Sequence, residues 1–371
     1  MSRLPCLRYR VTTSISLYRE QEAPNAIWTR RWRDFKIRNI TEWASADTRK
    51  IKITQGMGTS SYELEVREFI PIEGDLMEKF WSAGGVRKAY RVTPYAIVNL
   101  EKAARSRLQF VNDHVGTYIA YGVSNSDLLV RMTYERAMQH AKEAKSEEEK
   151  ILLRNTLYLW VAARMSSTTE WLCGDDKLDM MPVNDITSPY FDHTPIPPVM
   201  SAQFQIIAFS RILRPLKKSV LKHLSNMGSA ADTRKNWFTL YLTYFLLLHN
   251  CSLVTRRNEE YARQLDLPTQ FANPQSISDY HQGALVLLAD FHYSNKGQLP
   301  FSMAENSKKL EELADIAELN LDQVLFIKNT ATLVQQQRGQ MMQAREGRVF
   351  TDDYYFISQL YDKDWVPSPI A

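Results

Sequence analysis

The strongest constraint in the chain lies at residues 234–254, where FTLYLTYFLLL (238–248) sits inside a stretch with apolar side chains on nearly every helical face. Such a helix has no polar side to turn to water, so it must run through the middle of a protein with other helices packed around it. Tyr241, Phe245 and Leu248 fall at i, i+4 and i+7, and Trp237 extends that face by one turn. The run is about half of the roughly 20 residues a bilayer span needs, and the opening MSRLPCLRYR lacks the apolar core of a secretory signal. The expectation is a soluble intracellular chain that is not a membrane protein. Its 371 residues, 44% hydrophobic, suffice for more than one packed unit. Three cysteines are too few to staple a chain of this size.

Helices to surround that centre are legible on both sides. Segments 95–120, 126–144 and 147–166 carry apolar residues at three- and four-residue spacing. In the third, Ser146 followed by Glu147, Glu148 and Glu149 reads as a capping box with an acidic first turn, and Leu153, Leu157, Trp160 and Val161 form its buried stripe. Segment 199–226 is amphipathic, with Pro215 expected to kink or divide it. Segment 276–291 is a further buried helix, 306–343 reads as two helices meeting near Asn320, and the aromatic tail 352–365 is expected to dock.

The first quarter follows another period. KIKIT (51–55) and YELEVREFI (62–70) alternate as strands, with Tyr62, Leu64, Val66 and, by the same alternation, Glu68 on one face. Gly56, Gly58 and the Ser60-Ser61 pair supply a hairpin turn, and VRKAYRV (86–92) adds a third strand after Gly84-Gly85. The fold class is therefore α+β, predominantly helical, with a small antiparallel β region in residues 1–95 packed on a helical body in 96–371. The Asp- and Pro-rich loop 173–198 divides that body into two halves.

Charge is uneven. The first 50 residues hold eleven basic and five acidic side chains, a net of +6, whereas the remainder nets −2. Within that end, Arg30, Arg31, Arg33 and Arg38 interleave with Trp28 and Trp32. They are candidates for phosphate or DNA contact, or for packing on the indoles.

A search for catalysis returns no nucleophile elbow, phosphate loop, dinucleotide glycine pattern or two-histidine zinc helix. His249 and Cys251 are two apart on a helix and point to different faces, so the Cys reads as a small core residue. His281 and His292 lie three turns apart, too far to share a metal, and read as satisfied core histidines. The Cys173, Asp175, Asp176, Asp179 and Asp185 cluster matches no calcium loop and reads as a helix stop. No catalytic, cofactor-binding or metal residue is assigned, and an enzyme is the least favoured reading. An alternative is a helical module whose pocket is lined by Tyr244, His249, Asn250, His281 and His292, polar groups embedded among aromatic helices.

The blocks LPCLRYRVTTSISLYREQEAP, WTRRW, ASADTRKIKIT, ELEVREFIPIEGD, PPVMSAQ, LYLTYFLLLHNC, GALVLLADFHYSNKGQLPF and FISQLYDKDWVPSPI occur in this order along the chain. Together they resemble the region that follows the DNA-binding module in fungal zinc-cluster transcription factors of the secondary-metabolism-regulator type. The resemblance implies a nuclear regulatory region acting through coregulators or self-association. In complete relatives six cysteines hold two zinc ions. This chain has only Cys6, Cys173 and Cys251, the last two in sequence read as helical, so the resemblance covers the regulatory body without a DNA-reading head. The expectation is no cofactor, no zinc, and at most weak sequence-blind DNA affinity from the +6 end.

Overall fold

The computed structural model describes residues 15–18, 37–57, 60–229, 233–295, 301 and 307–367. Alternating apolar residues build an antiparallel sheet in the first quarter. Strand β1 (Trp43–Thr54) pairs with β2 (Tyr62–Phe69), setting Ile51 opposite Leu64 and Ile53 opposite Tyr62. The alternation fails at its end: Phe69, not Glu68, is buried. The register shifts between Trp43 and Thr48 of β1, and a bulge there twists the pair and turns Phe69 inward.

A second hairpin joins β3 (Glu78–Ala83) to β4 (Val86–Arg91), with Gly84 and Gly85 at positive φ in the turn. EKFWSA lacks clean alternation, which is why β3 was not anticipated. Pro94 does not open a helix. Tyr95–Ile97 forms β5, antiparallel to β2, and its outer edge is closed by the buried Gln203 side chain. That amide accepts from the Ile97 N–H at 2.7 Å and donates to its carbonyl at 3.0 Å, doing the work of a neighbouring strand.

The helical body starts with α1 (Leu100–Gly122), capped by Asn99, then α2 (Leu128–Glu143) and α3 (Glu147–Ser167). Ser146 caps α3 as expected, but Glu149 does not reach back. Its carboxylate accepts from Thr239 at 2.6 Å instead. Cys173, expected in helical sequence, closes a strand: β6 (Trp171–Cys173) pairs with β1 and with β7 (Thr194–Pro195), giving the sheet order β5-β2-β1-β6-β7. The sheet thus draws strands from both sides of residue 95. The acidic loop is an ordered joint. Asp176 and Asp179 both pair with Arg49 at 2.6 Å, and Asp185 pairs with Lys88 at 2.8 Å.

Beyond the loop, α4 (Pro198–Ile207) widens into a π-helical turn (Ala208–Leu213) before α5 (Arg214–Gly228). The irregularity precedes Pro215, where the wider turn accommodates a ring that an α-helical carbonyl four residues back would strike. The central helix α6 (Trp237–Gln264) carries Tyr241, Phe245 and Leu248 with no exposed surface, and α3, α7 (Pro274–Ser294) and α2 pack on it. At 28 residues α6 is long and apolar enough, by length and composition alone, to cross a membrane, yet 89% of its apolar window is buried inside the protein. The expected two-helix segment is three: α8 (Ser307–Ile316), α9 (Leu321–Gln336) and α10 (Arg338–Glu346). The first join falls at Asn320, as expected, where Asn320 and Gln323 form a reciprocal capping box, and a second break falls at Gln337. A short α11 (Tyr354–Ile357) and a 3₁₀ turn (Ser358–Tyr361) end the fold.

Candidate functional site

Polar groups are buried along α6 and α7, and histidines hold the C-terminal segment to them. His249 Nδ1 lies 2.8 Å from the Tyr134 hydroxyl, while Nε2 is 3.3 Å from Asp353 Oδ1. The Nε2 approach brings ring and carboxylate together without a hydrogen bond of good geometry. Burial alone would raise the Asp353 carboxyl, but His249 and Arg256 hold it well below its ordinary value. His281 bonds Thr255 at 3.0 Å and stacks on Phe350, ring centroids 4.4 Å apart. His292 donates through Nε2 to the Gln359 carbonyl at 2.9 Å and lies flat on Trp365 at 4.9 Å. From Phe350 to Trp365 the chain end is held at successive points along one pair of helices.

The other end of the described chain uses the same pair. Residues 15–18 cross α7 at Gly283, where an added Cβ would stand 2.8 Å from the Ser16 carbonyl oxygen. Only glycine permits that approach. Ile15 and Tyr18 are buried, and the Tyr18 ring stacks on Phe209 with 6.2 Å between centroids.

The five residues expected to share a ligand pocket are therefore spread along two helices, each with its own protein partner. Tyr244 donates to Asp290, whose carboxyl burial pushes up. Asn250 accepts from Arg164 at 3.1 Å. Only Asn250 borders the cleft beside Ser16, Leu17, Cys251 and Tyr280, whose cavity of about 10 Å³ is no larger than one water needs. Arg30, Arg31 and Arg33, like Cys6, Trp28 and Trp32, lie outside the described residues, and Arg38 is exposed.

The two cysteines among the described residues do not come together as a zinc site. Cys251 is buried with its thiol pushed up by burial and its Sγ 3.6 Å from the Tyr280 carbonyl, and Cys173 lies on β6. Among the described residues no group of three His, Cys, Asp or Glu side chains is placed to hold a metal. Sequence reasoning missed Tyr134, Arg164, Asp353 and Gln359. Their roles depend on contacts across 67 to 115 positions of sequence, which no local pattern announces.

Comparison with known proteins bears on what this arrangement serves. The chain is 24% identical over 306 residues to the satratoxin biosynthesis SC3 cluster transcription factor SAT20 of Stachybotrys chartarum (strain CBS 109288 / IBT 7711). The alignment covers 77% of this chain but 40% of that regulator, so the chain spans well under half the length of the relative it matches. No solved structure matches it. A family profile matches from residue 19 to residue 360, taking in the sheet, the α6–α7 pair and most of the C-terminal segment: the chain belongs to the KpeA transcription factor family.

Proposed function

We propose that this chain is the regulatory and interaction region of a fungal secondary-metabolism transcription factor, acting in the nucleus, and that these residues do not themselves read a DNA sequence. The observation that carries the reading is the family match over residues 19–360. The printed role of the relative as a cluster transcription factor supports the link to secondary metabolism. The cysteine count supports the rest, because a two-zinc cluster needs six thiolates and the sequence has three cysteines. In this reading the chain is not an enzyme, holds no cofactor and works away from membranes. Its partners are coregulator proteins or further copies of itself.

Any DNA affinity comes from Arg30, Arg31, Arg33 and Arg38 acting on phosphates. It is expected near 10⁻⁴–10⁻⁶ M at physiological salt, sequence-blind and steeply salt-dependent. A competition titration of the purified chain at several salt concentrations, with metal analysis of the same sample, tests this. Stoichiometric zinc, or a preference of about tenfold for one DNA sequence over scrambled competitor, would overturn the reading.

A further inference from the structure

Where α3 ends against α6, guanidinium groups gather with too little opposite charge. Arg164, in the last turn of α3, gives Asn250 a single hydrogen bond through Nη2 at 3.1 Å, and its sealed Nε has no partner. Arg257 commits Nε to the Ser167 carbonyl at 2.9 Å and approaches Glu260 only at 3.5 Å. Arg256 bonds the Thr351 carbonyl and Asp353, a carboxylate already shared with His249 and with Ser126 at 2.9 Å. Three fixed positive charges thus meet two carboxylates.

A guanidinium presents five N–H donors in a planar fork, and leaving one buried without an acceptor is unfavourable. The dipole of α3 favours a cation in its last turn but supplies no acceptor for Nε. Arg164 as a residue is half-buried, while its Nε is sealed from solvent.

We propose that the corner formed by Arg164, Arg256 and Arg257 binds a small oxyanion, either inorganic phosphate or the carboxylate of an organic acid. Both ligands offer what the corner lacks, negative oxygens that accept two N–H bonds from one planar fork. Electrostatics agree: burial lowers the Arg164 guanidinium to about 10, Arg256 and Arg257 push it further down, and only Tyr134 and Glu260 oppose them. A bound anion relieves that repulsion. Because Arg256 also grips Thr351 and Asp353, an occupant competes with Asp353 for it, which ties the site to the docked chain end. The inference is independent of whether the chain regulates transcription.

The test is calorimetric titration of the full chain with inorganic phosphate and, separately, with sodium benzoate, at ionic strength held constant by chloride. Saturable binding of at least one is expected. Arg164→Gln should weaken it about tenfold or more, while Arg211→Gln, which loses a pair with Glu101 elsewhere on the surface, should leave it unchanged. Tighter phosphate binding identifies the inorganic ion as the source, and tighter benzoate binding an organic acid. No saturable binding of either up to about 10 mM, or equal weakening by both substitutions, overturns the proposal. If Arg164→Gln does not fold, Arg257→Gln takes its place, with the same loss expected and the same result overturning it.

Discussion

Single side chains in this protein are costly where they sit between layers. Arg107 and Glu170 meet at 2.9 Å under the sheet, 3% and 7% exposed, with the Tyr62 hydroxyl accepting from Arg107 and donating to Glu170. Removing one partner strands a buried charge, so Arg107→Met should cost about 3–5 kcal/mol in a denaturant melt. Adding Glu170→Leu to it should recover much of the loss. Phe245 has no exposed surface, and Phe245→Ala should likewise cost about 3–5 kcal/mol. A loss below about 1 kcal/mol would place α6 at the surface.

The histidines set a pH dependence. Burial holds His281 near 4, against an ordinary 6.5. It holds His140 near 4 as well, where Gln323 donates to Nδ1 and Thr239, Glu149, Arg136 and Glu143 stand around the ring. Between pH 6.5 and 4 the unfolded chain binds these protons and the folded chain does not. Stability is therefore complete above about pH 6.5 and is lost as pH falls toward 4, by roughly 2–3 kcal/mol for each ring. The urea midpoint should drop between pH 7 and pH 5, and a flat profile would contradict buried neutral rings.

Among elements, what the sequence showed follows from what each element packs against. The all-round apolar run of α6 named its own position, since no other environment accepts it. Tyr62, Leu64 and Val66 named the inner face of β2 for the same reason. Local periodicity was silent about β5, β6 and β7, which are three or two residues long and exist because the neighbouring strand leaves hydrogen bonds to fill. It was equally silent about Arg49, which anchors Asp176 and Asp179 across about 130 positions. The histidines were visible as residues, and their partners were not, because Asp353, Gln359 and Trp365 arrive from another part of the chain. Gly283 belongs to this scale too. Gly283→Ala forces the backbone of residues 15–18 away, at about 1–3 kcal/mol. Limited proteolysis should then cut near Tyr18 first while the segment from Phe350 to Trp365 stays protected, and unchanged digestion would count against a seated N-terminal segment.

At the scale of the molecule, sheet and helices share one continuous hydrophobic cluster from Ile15 to Trp365. Strands β6 and β7 pair into a sheet whose other members precede residue 98, so a fragment of residues 96–371 keeps two strands without their main partner. It should be insoluble, or helical by far-ultraviolet dichroism without a cooperative melt. A soluble fragment with a sharp transition would show that the helical body stands alone.

The contact of Ser16 with Gly283 also sets a clock on synthesis. A ribosome adding about 5–20 residues per second needs roughly 15–50 s to travel from one to the other, so the earlier segment waits for a helix made much later. Ile15, Leu17 and Tyr18, buried in the finished protein, stay in water or on a chaperone for that interval. A nascent chain stalled before Tyr280 would display them, and one released past Ser294 would hide them.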